Sequence, residues 1–235
     1  MLKSILSRNR RAKPYNPVEI EIIRAATKNF LQLGYSNTTM KMVAKEANTG
    51  LGNITYYFHS KDDLLLLFIE ELMDYHSDII ENALEDTGDA LLAYSTEIAA
   101  QIGLCENDER ARDIYHNAYA CPGIMSFIRE WGSKKSFALF RDRLTDWTAQ
   151  DFYNRESISA FIEFSAIDTP CDSAYTLENK VALVLDSLLS LYQVSADERK
   201  TVIDKILKLD YTKIGTDTFK QFIDRFEKSA EEFNK

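Results

Sequence analysis

Apolar residues recur at three- and four-residue spacing along nearly the whole chain, and little interrupts them. The 235 residues contain only eight Gly and four Pro, so breakers are too few for a fold of many short strands and turns. No stretch alternates apolar and polar side chains with period two for long enough to demand a sheet. The pattern predicts an all-α chain of long helices with short connections. Beyond the first 80 residues it predicts helices over 89–104, 107–120, 123–148, 152–167, 176–193, 196–210 and 216–233. Breaks are expected near Thr87-Gly88, Cys121-Pro122-Gly123, Asp168-Thr169-Pro170 and Ile214-Gly215.

The N-terminal quarter is punctuated differently. Asn16-Pro17-Val18-Glu19 reads as a helix start, with Asn16 as N-cap, Pro17 at the first helical position and Glu19 reaching back as capping-box partner. Ile20, Ile23, Ala26, Thr27, Phe30 and Leu31 make its apolar stripe, and Gly34 ends it in the left-handed C′ conformation. A second, short helix is expected from a cap at Asn37 or Thr38, with Met40, Val43, Ala44 and Ala47 on its buried face. Asn48 closes it, Thr49-Gly50 turns the chain, and a third short helix runs from about Leu51 to Phe58 with Ile54 and Phe58 inward. Ser60 then caps a fourth helix that continues through Leu64 to Ile69, Met73 and Ala83. Two short helices joined by a tight turn, the second polar on its outer face, form the helix-turn-helix pattern.

These residues resemble a known family. Ala25 to Thr39 is similar to the first helix and entry turn of tetracycline-repressor-type (TetR family) regulators. Val43-Ala44-Lys45-Glu46-Ala47 is similar to their second helix, and Gly52 to Leu64 (GNITYYFHSKDDL) to their recognition helix and exit. The resemblance covers about 50 contiguous residues with several fixed spacings. It implies that Thr38 and Thr39 meet phosphate at the start of the second helix. Gly50, Leu51, Asn53 and Tyr56 would face bases, with Thr55 beside them, and Tyr57 and Lys61 would meet phosphates. The alternative for Tyr56 and Tyr57 is a half-buried core aromatic, and for Lys61 a solvated first-turn residue. Three positions depart from the pattern: Asn48 stands where Gly is common, Gly50 where a Ser cap is common, and Thr55 where Tyr is common.

Charge divides the chain in the same place. Met1 to Lys61 holds ten Lys/Arg against three Asp/Glu, a balance of +7; the remainder holds 18 against 34, a balance of −16, and together these give the chain's −9. A basic head on an acidic body fits a head that approaches a polyanion and a body that is repelled by it. Residues 1–15 read as a basic arm, 16–61 as the helix-turn-helix DNA-binding domain, and 62–235 as a helical effector-binding and dimerisation domain.

For the body, the resemblance implies a homodimer on a pseudo-palindromic DNA duplex and a pocket for a small-molecule effector. Interface candidates are 158–167 and 181–191, the second with a stripe of Ala182, Leu185, Leu189 and Tyr192; the alternative is that both are monomer core. Ligand-binding candidates are His116, Tyr119, Phe127 and Trp131. Phe137, Phe140, Trp147 and Phe164 are further aromatics for a cavity or a core.

The remaining features exclude more than they assign. Cys105, Cys121 and Cys171 form no CxxC pair, so no zinc or redox motif is supported and no metal or cofactor is expected. There is no GxSxG, HExxH, P-loop or GxGxxG motif, and Cys121 with His116 lacks a third group to orient them, so an enzyme is not expected. No apolar run reaches the length of a membrane span, and the N-terminus lacks the apolar stretch of a signal peptide. The expected protein is a cytoplasmic, sequence-specific transcription regulator, a repressor released by its effector. The alternatives are an activator of the same family, or a helical ligand- or partner-binding module that no longer binds DNA.

Overall fold

The computed structural model describes residues 15–84 and 89–233, without the side chains of 80–84 and 229–233. The basic arm therefore lies, apart from Tyr15, outside the described residues. Among the described residues every regular element is a helix. The head comprises α1 (Pro17–Leu33), α2 (Met40–Glu46) and α3 (Leu51–Tyr57). The body comprises α4 (Lys61–Leu84), α5 (Ala90–Asn107), α6 (Glu109–Ala120), α7 (Pro122–Phe140), α8 (Ala149–Asp168), α9 (Leu177–Leu191), α10 (Ala196–Ile206) and α11 (Tyr211–Phe233). None of these helices is long and apolar enough to cross a membrane.

Local chemistry sets most boundaries. Asn16 Oδ1 accepts from the Val18 and Glu19 amides at 2.9 and 3.0 Å, and Glu19 returns a bond to the Asn16 amide at 2.9 Å, so the expected capping box forms. Ser60 and Asp63 exchange the same pair of bonds at the head of α4. The cap of α2 is Thr39, whose hydroxyl accepts from the Met42 amide at 3.3 Å, one residue later than the sequence predicts. Thr38 cannot cap because it is 1% exposed and donates its hydroxyl to the Gly34 carbonyl at 2.7 Å. Gly34 has φ +80° and ψ 171°. It is thus not the left-handed cap expected but an extended positive-φ residue, a region open essentially to glycine alone.

Two further boundaries differ from expectation. The helix expected over 123–148 stops at Phe140, and Thr148 then caps α8 with Asp151. Gly215 does not break the chain: it lies inside α11, where a Cβ would run into the Ala100 carbonyl. Across from it, a Cβ on Gly103 would meet the Thr212 backbone at 3.0 Å. Two glycines on facing helices let α5 and α11 pack backbone against backbone.

The apolar faces form two clusters. One begins with Ile22, Ile23, Phe30, Val43 and Ile54 in the head and continues without a gap through Phe68 and Leu72 of α4, Ile114 and Tyr115 of α6, and Phe219 and Phe222 of α11. The head thus shares its core with the body. The other lies among α5, α8, α9 and α10, where Phe140 stacks on Tyr192 at 4.5 Å and Phe152 is edge-on to Phe137 and Trp147. Leu185, Leu189 and Tyr192 are wholly buried in it. The stripe expected at a dimer interface is therefore monomer core at these three positions.

Candidate nucleic-acid interface and interior cavity

The outward surface of the head is built on α3. Its one buried side chain, Ile54, anchors it to the core, while Leu51, Gly52, Asn53, Thr55 and Tyr56 face solvent. Tyr56 is 77% exposed and stands edge-on to Tyr57 at 5.0 Å. Tyr57 is half-buried against the head's core, so one ring braces the other. Asn53 donates to the Thr49 hydroxyl at 3.0 Å, and the Thr55 hydroxyl donates to the Leu51 and Gly52 carbonyls. Gly50 is the N-cap without a side-chain bond, and a Cβ on either Gly50 or Gly52 would meet open space. Bare backbone is thus presented outward beside the Tyr56 ring. Thr39 is exposed as well, as are Lys41 and Lys45 of α2, two cations outside the predicted contact set.

Thr38 and Lys61 turn inward instead. The Lys61 ammonium donates to the Tyr35 and Thr38 carbonyls at 2.7 and 2.8 Å and lies 3.8 Å from the Tyr35 ring centre. Burial pushes its pKa down, opposed by Asp113 and Asp62. Tyr35 in turn donates to Asp62. The residue read as a phosphate contact is therefore a strut that ties the α1–α2 loop to the start of α4.

The same loop is held from α6. Asp113 accepts from the Ser36 amide at 2.7 Å and from the Ser36 hydroxyl. Asn117 donates to the Ser36 hydroxyl at 3.3 Å, and Arg110 to the Leu31 carbonyl at 3.3 Å. A Cβ on Gly34 would stand 2.7 Å from the Asp113 carboxylate. Gly34 is thus required both for its φ and for this approach.

A small interior cavity of about 40 Å³ opens among α4, α5, α7 and α8. Met73, Tyr94, Ile98, Ile128 and Trp131 give it apolar and aromatic walls; Glu97, Gln101, Lys135, Glu156 and Glu163 supply polar groups. Lys135 pairs with Glu97 and donates to Ser77 at 2.6 Å. Glu156 accepts from the Tyr192 hydroxyl at 2.8 Å and Glu163 from the Tyr119 hydroxyl at 2.6 Å. Burial, then the charge of Glu163, pushes the Glu156 carboxyl up to about 8; burial, then Glu97, pushes Glu163 up to about 7 against the Tyr119 bond. Wholly buried His76 is held down to about 4 by burial and then by Lys135.

Of the four ligand candidates, the cavity takes in Trp131, whose indole N–H donates to Asp74 at 2.6 Å. Tyr119 sits behind its wall, bonded to Glu163. Phe127 is buried in the core shared with the head, and His116, half-exposed, meets Asp168 at 3.0 Å and the Phe164 ring. The carboxylates were missed, yet they left a trace. Phe152, Glu156, Ser159, Glu163 and Ala166 recur at helical spacing, a stripe that is buried apart from half-buried Glu163 and is interrupted by acids.

Residues 22–67 match the model of bacterial regulatory proteins, tetR family. The HTH-type transcriptional regulator HbdR of Aromatoleum sp. (strain CIB) is 40% identical over 65 residues, 28% of this chain and 28% of that protein. The uncharacterized HTH-type transcriptional regulator YhgD of Bacillus subtilis (strain 168) is 54% identical over 43 residues, 18% of this chain and 22% of that protein. The chain thus spans less than a third of the length of the curated relatives it matches. The solved multidrug binding protein EbrR, complexed with imidazole, superposes with a TM-score of 0.47 at 22% identity, over 76% of this chain and 96% of that one. The matched segment coincides with the head and the first turns of α4, so the chain carries an N-terminal segment that matches the model of bacterial regulatory proteins, tetR family.

Proposed function

We propose that this chain is a cytoplasmic, dimeric transcription regulator that seats α3 in the major groove of a pseudo-palindromic operator and is released by a small-molecule effector. The observation that carries the reading is the outward face of α3: a seven-residue helix anchored by Ile54, with Tyr56, Asn53, Leu51 and bare glycine backbone exposed. A short helix with modest side chains suits a groove about 12 Å wide. In this reading 16–61 is the DNA-binding domain, with the arm 1–15 adding five of the head's ten cations. Residues 62–235 sense the effector and dimerise. Thr39, Gly50, Leu51, Asn53, Thr55, Tyr56 and Tyr57 form the contact face, joined by Lys41 and Lys45. Thr38 and Lys61 support it from behind.

Exposed apolar side chains on α8 and α9 support a dimer. Ile158 and Phe161 are more than half exposed and lie with Leu183, 58% exposed, around one apolar groove. A second copy covering that groove by two-fold symmetry gives an α8–α9 four-helix contact. Release by an effector is supported by α6, which reaches the cavity wall through Tyr119 and the α1–α2 loop through Asp113. A shift of α6 changes the seat of the head. The test is selection of bound duplexes from a random pool, followed by titration of salt. The expected result is a pseudo-palindromic consensus whose affinity falls steeply with salt; no salt-dependent duplex binding by the purified full chain refutes the reading.

A further inference from the structure

The cavity in the body has an unbalanced set of charges. Three carboxyl groups line it against one ammonium, and that ammonium, Lys135, is already committed to Glu97 and Ser77. Glu156 and Glu163 remain, two helical turns apart on one face of α8. Each is oriented by a tyrosine hydroxyl on Oε2. The Oε1 atom of each meets no hydrogen-bond donor among the described residues, although Glu156 is only 6% exposed.

The fold also makes room for this carboxylate at a cost. Gly132 lies inside α7, where glycine is about 1 kcal/mol worse than alanine. A Cβ there would collide with Glu156 Oε1. Gly132 therefore admits a carboxylate that the core alone does not need. Opposite the acids stand the Trp131 ring and the apolar side chains of Met73, Ile98 and Ile128. Among the described residues no trio of His, Cys, Asp or Glu converges as a metal site. Two carboxylates with free oxygens facing an aromatic wall suit an N–H-bearing organic cation.

From this arrangement we infer that the cavity binds a small protonated amine, a primary or secondary ammonium carrying an apolar or aromatic group. The ammonium donates to Oε1 of Glu156 and Glu163, and its hydrocarbon part lies against Trp131. In calling this amine the effector, the inference rests on the regulator reading above; amine binding itself does not. The titratable groups around the site are Asp74 and His76 from α4, Tyr94 and Glu97 from α5, Tyr115 and Tyr119 from α6, Lys135 from α7 and Tyr192 after α9. His76 is neutral at pH 7 and Lys135 is paired, so the two raised glutamates are the groups that exchange protons there. Amine binding holds them ionised and expels protons into the buffer.

Calorimetric titration of the full chain with benzylamine and n-butylamine, against benzyl alcohol, n-butanol and benzoate, tests this at pH 7 in two buffers of different ionisation heat. The amines are expected to bind at least tenfold more tightly than the alcohols, with proton release, and benzoate not to bind. Glu156→Gln and Glu163→Gln each lose at least tenfold in amine affinity. No amine binding, equal binding of amine and alcohol, or amine binding untouched by both substitutions overturns the inference, and the comparison of ligands on the unaltered chain holds even if a variant misfolds. Operator DNA bound normally by a chain that ignores amines leaves the regulator reading standing. Amines bound by a chain that never binds a duplex do the reverse.

Discussion

At the residue scale, exposure separates side chains that meet a partner from side chains that hold the fold. Tyr56 touches little but its neighbour Tyr57, so Tyr56→Ala should leave thermal stability within about 0.5 kcal/mol. The same change should alter which duplexes are selected, read by anisotropy against a panel of operator variants. Lys61 behaves oppositely. Its ammonium holds two loop carbonyls, and Lys61→Met should cost about 1–3 kcal/mol in denaturant unfolding. Operator binding should then weaken for every sequence alike while the salt slope hardly changes. The exposed Lys41 and Lys45 should each lower that slope by about 1 when changed to Gln, since each lost phosphate contact removes one released counterion. A slope that drops for Lys61→Met and stays for the other two would reverse these assignments.

Elements are positioned by two devices, close helix approach and polar clamps. Gly103 and Gly215 bring α5 onto α11, and Gly215→Ala should push the Ala100 carbonyl away at about 1–3 kcal/mol, lowering the melting temperature by several degrees. Helix α6 clamps the α1–α2 loop through Asp113. Asp113→Ala should loosen that loop, and amide exchange at Ser36 should quicken before global unfolding does. Lys180 closes the C-terminal end of α8: it is wholly buried, bonded to Glu106 at 2.5 Å and to the Ala166 carbonyl at 2.9 Å. It is a structural cation, in contrast to Lys135, which is part of the cavity wall.

For the whole molecule, the buried acids tie stability to pH. Glu156 and Glu163 have pKa values raised to about 8 and about 7 in the fold, against 4.5 when unfolded. The folded state therefore holds more protons than the unfolded one above pH 4.5, and stability falls as pH rises through the raised values. Buried His76 works in the other direction, but only below its ordinary 6.5. Between pH 6.5 and 8 the glutamates dominate, so the ligand-free melting temperature should decline, and Glu156→Gln should flatten the decline. A melting curve that rises with pH in this window contradicts the burial of these acids. The apolar groove of α8 and α9 belongs to the same scale. Leu183→Glu should yield monomers in sedimentation and weaken operator binding without disturbing the head.

Local chemistry determined much of this protein from sequence alone. The Asn16 and Ser60 capping boxes, the turn at Asn48 with φ +48°, and the Ile54 anchor of α3 depend on neighbours within four residues, and all are legible in the order of residue types. Most body helices were legible for the same reason, through periodicity. Contacts between distant segments were not. Gly215 reads as a breaker until α5 is seen against it, Lys61 as a phosphate contact until the Tyr35 and Thr38 carbonyls come round to it, and Leu185 as an interface residue until the second core encloses it. The acids of α8 are the furthest case. A Glu at helical spacing looks solvated in one dimension, and only the packing of α4, α5, α7 and α8 turns two of them towards an interior cavity. Short-range hydrogen bonding is written residue by residue; desolvation is set by what the rest of the chain places alongside.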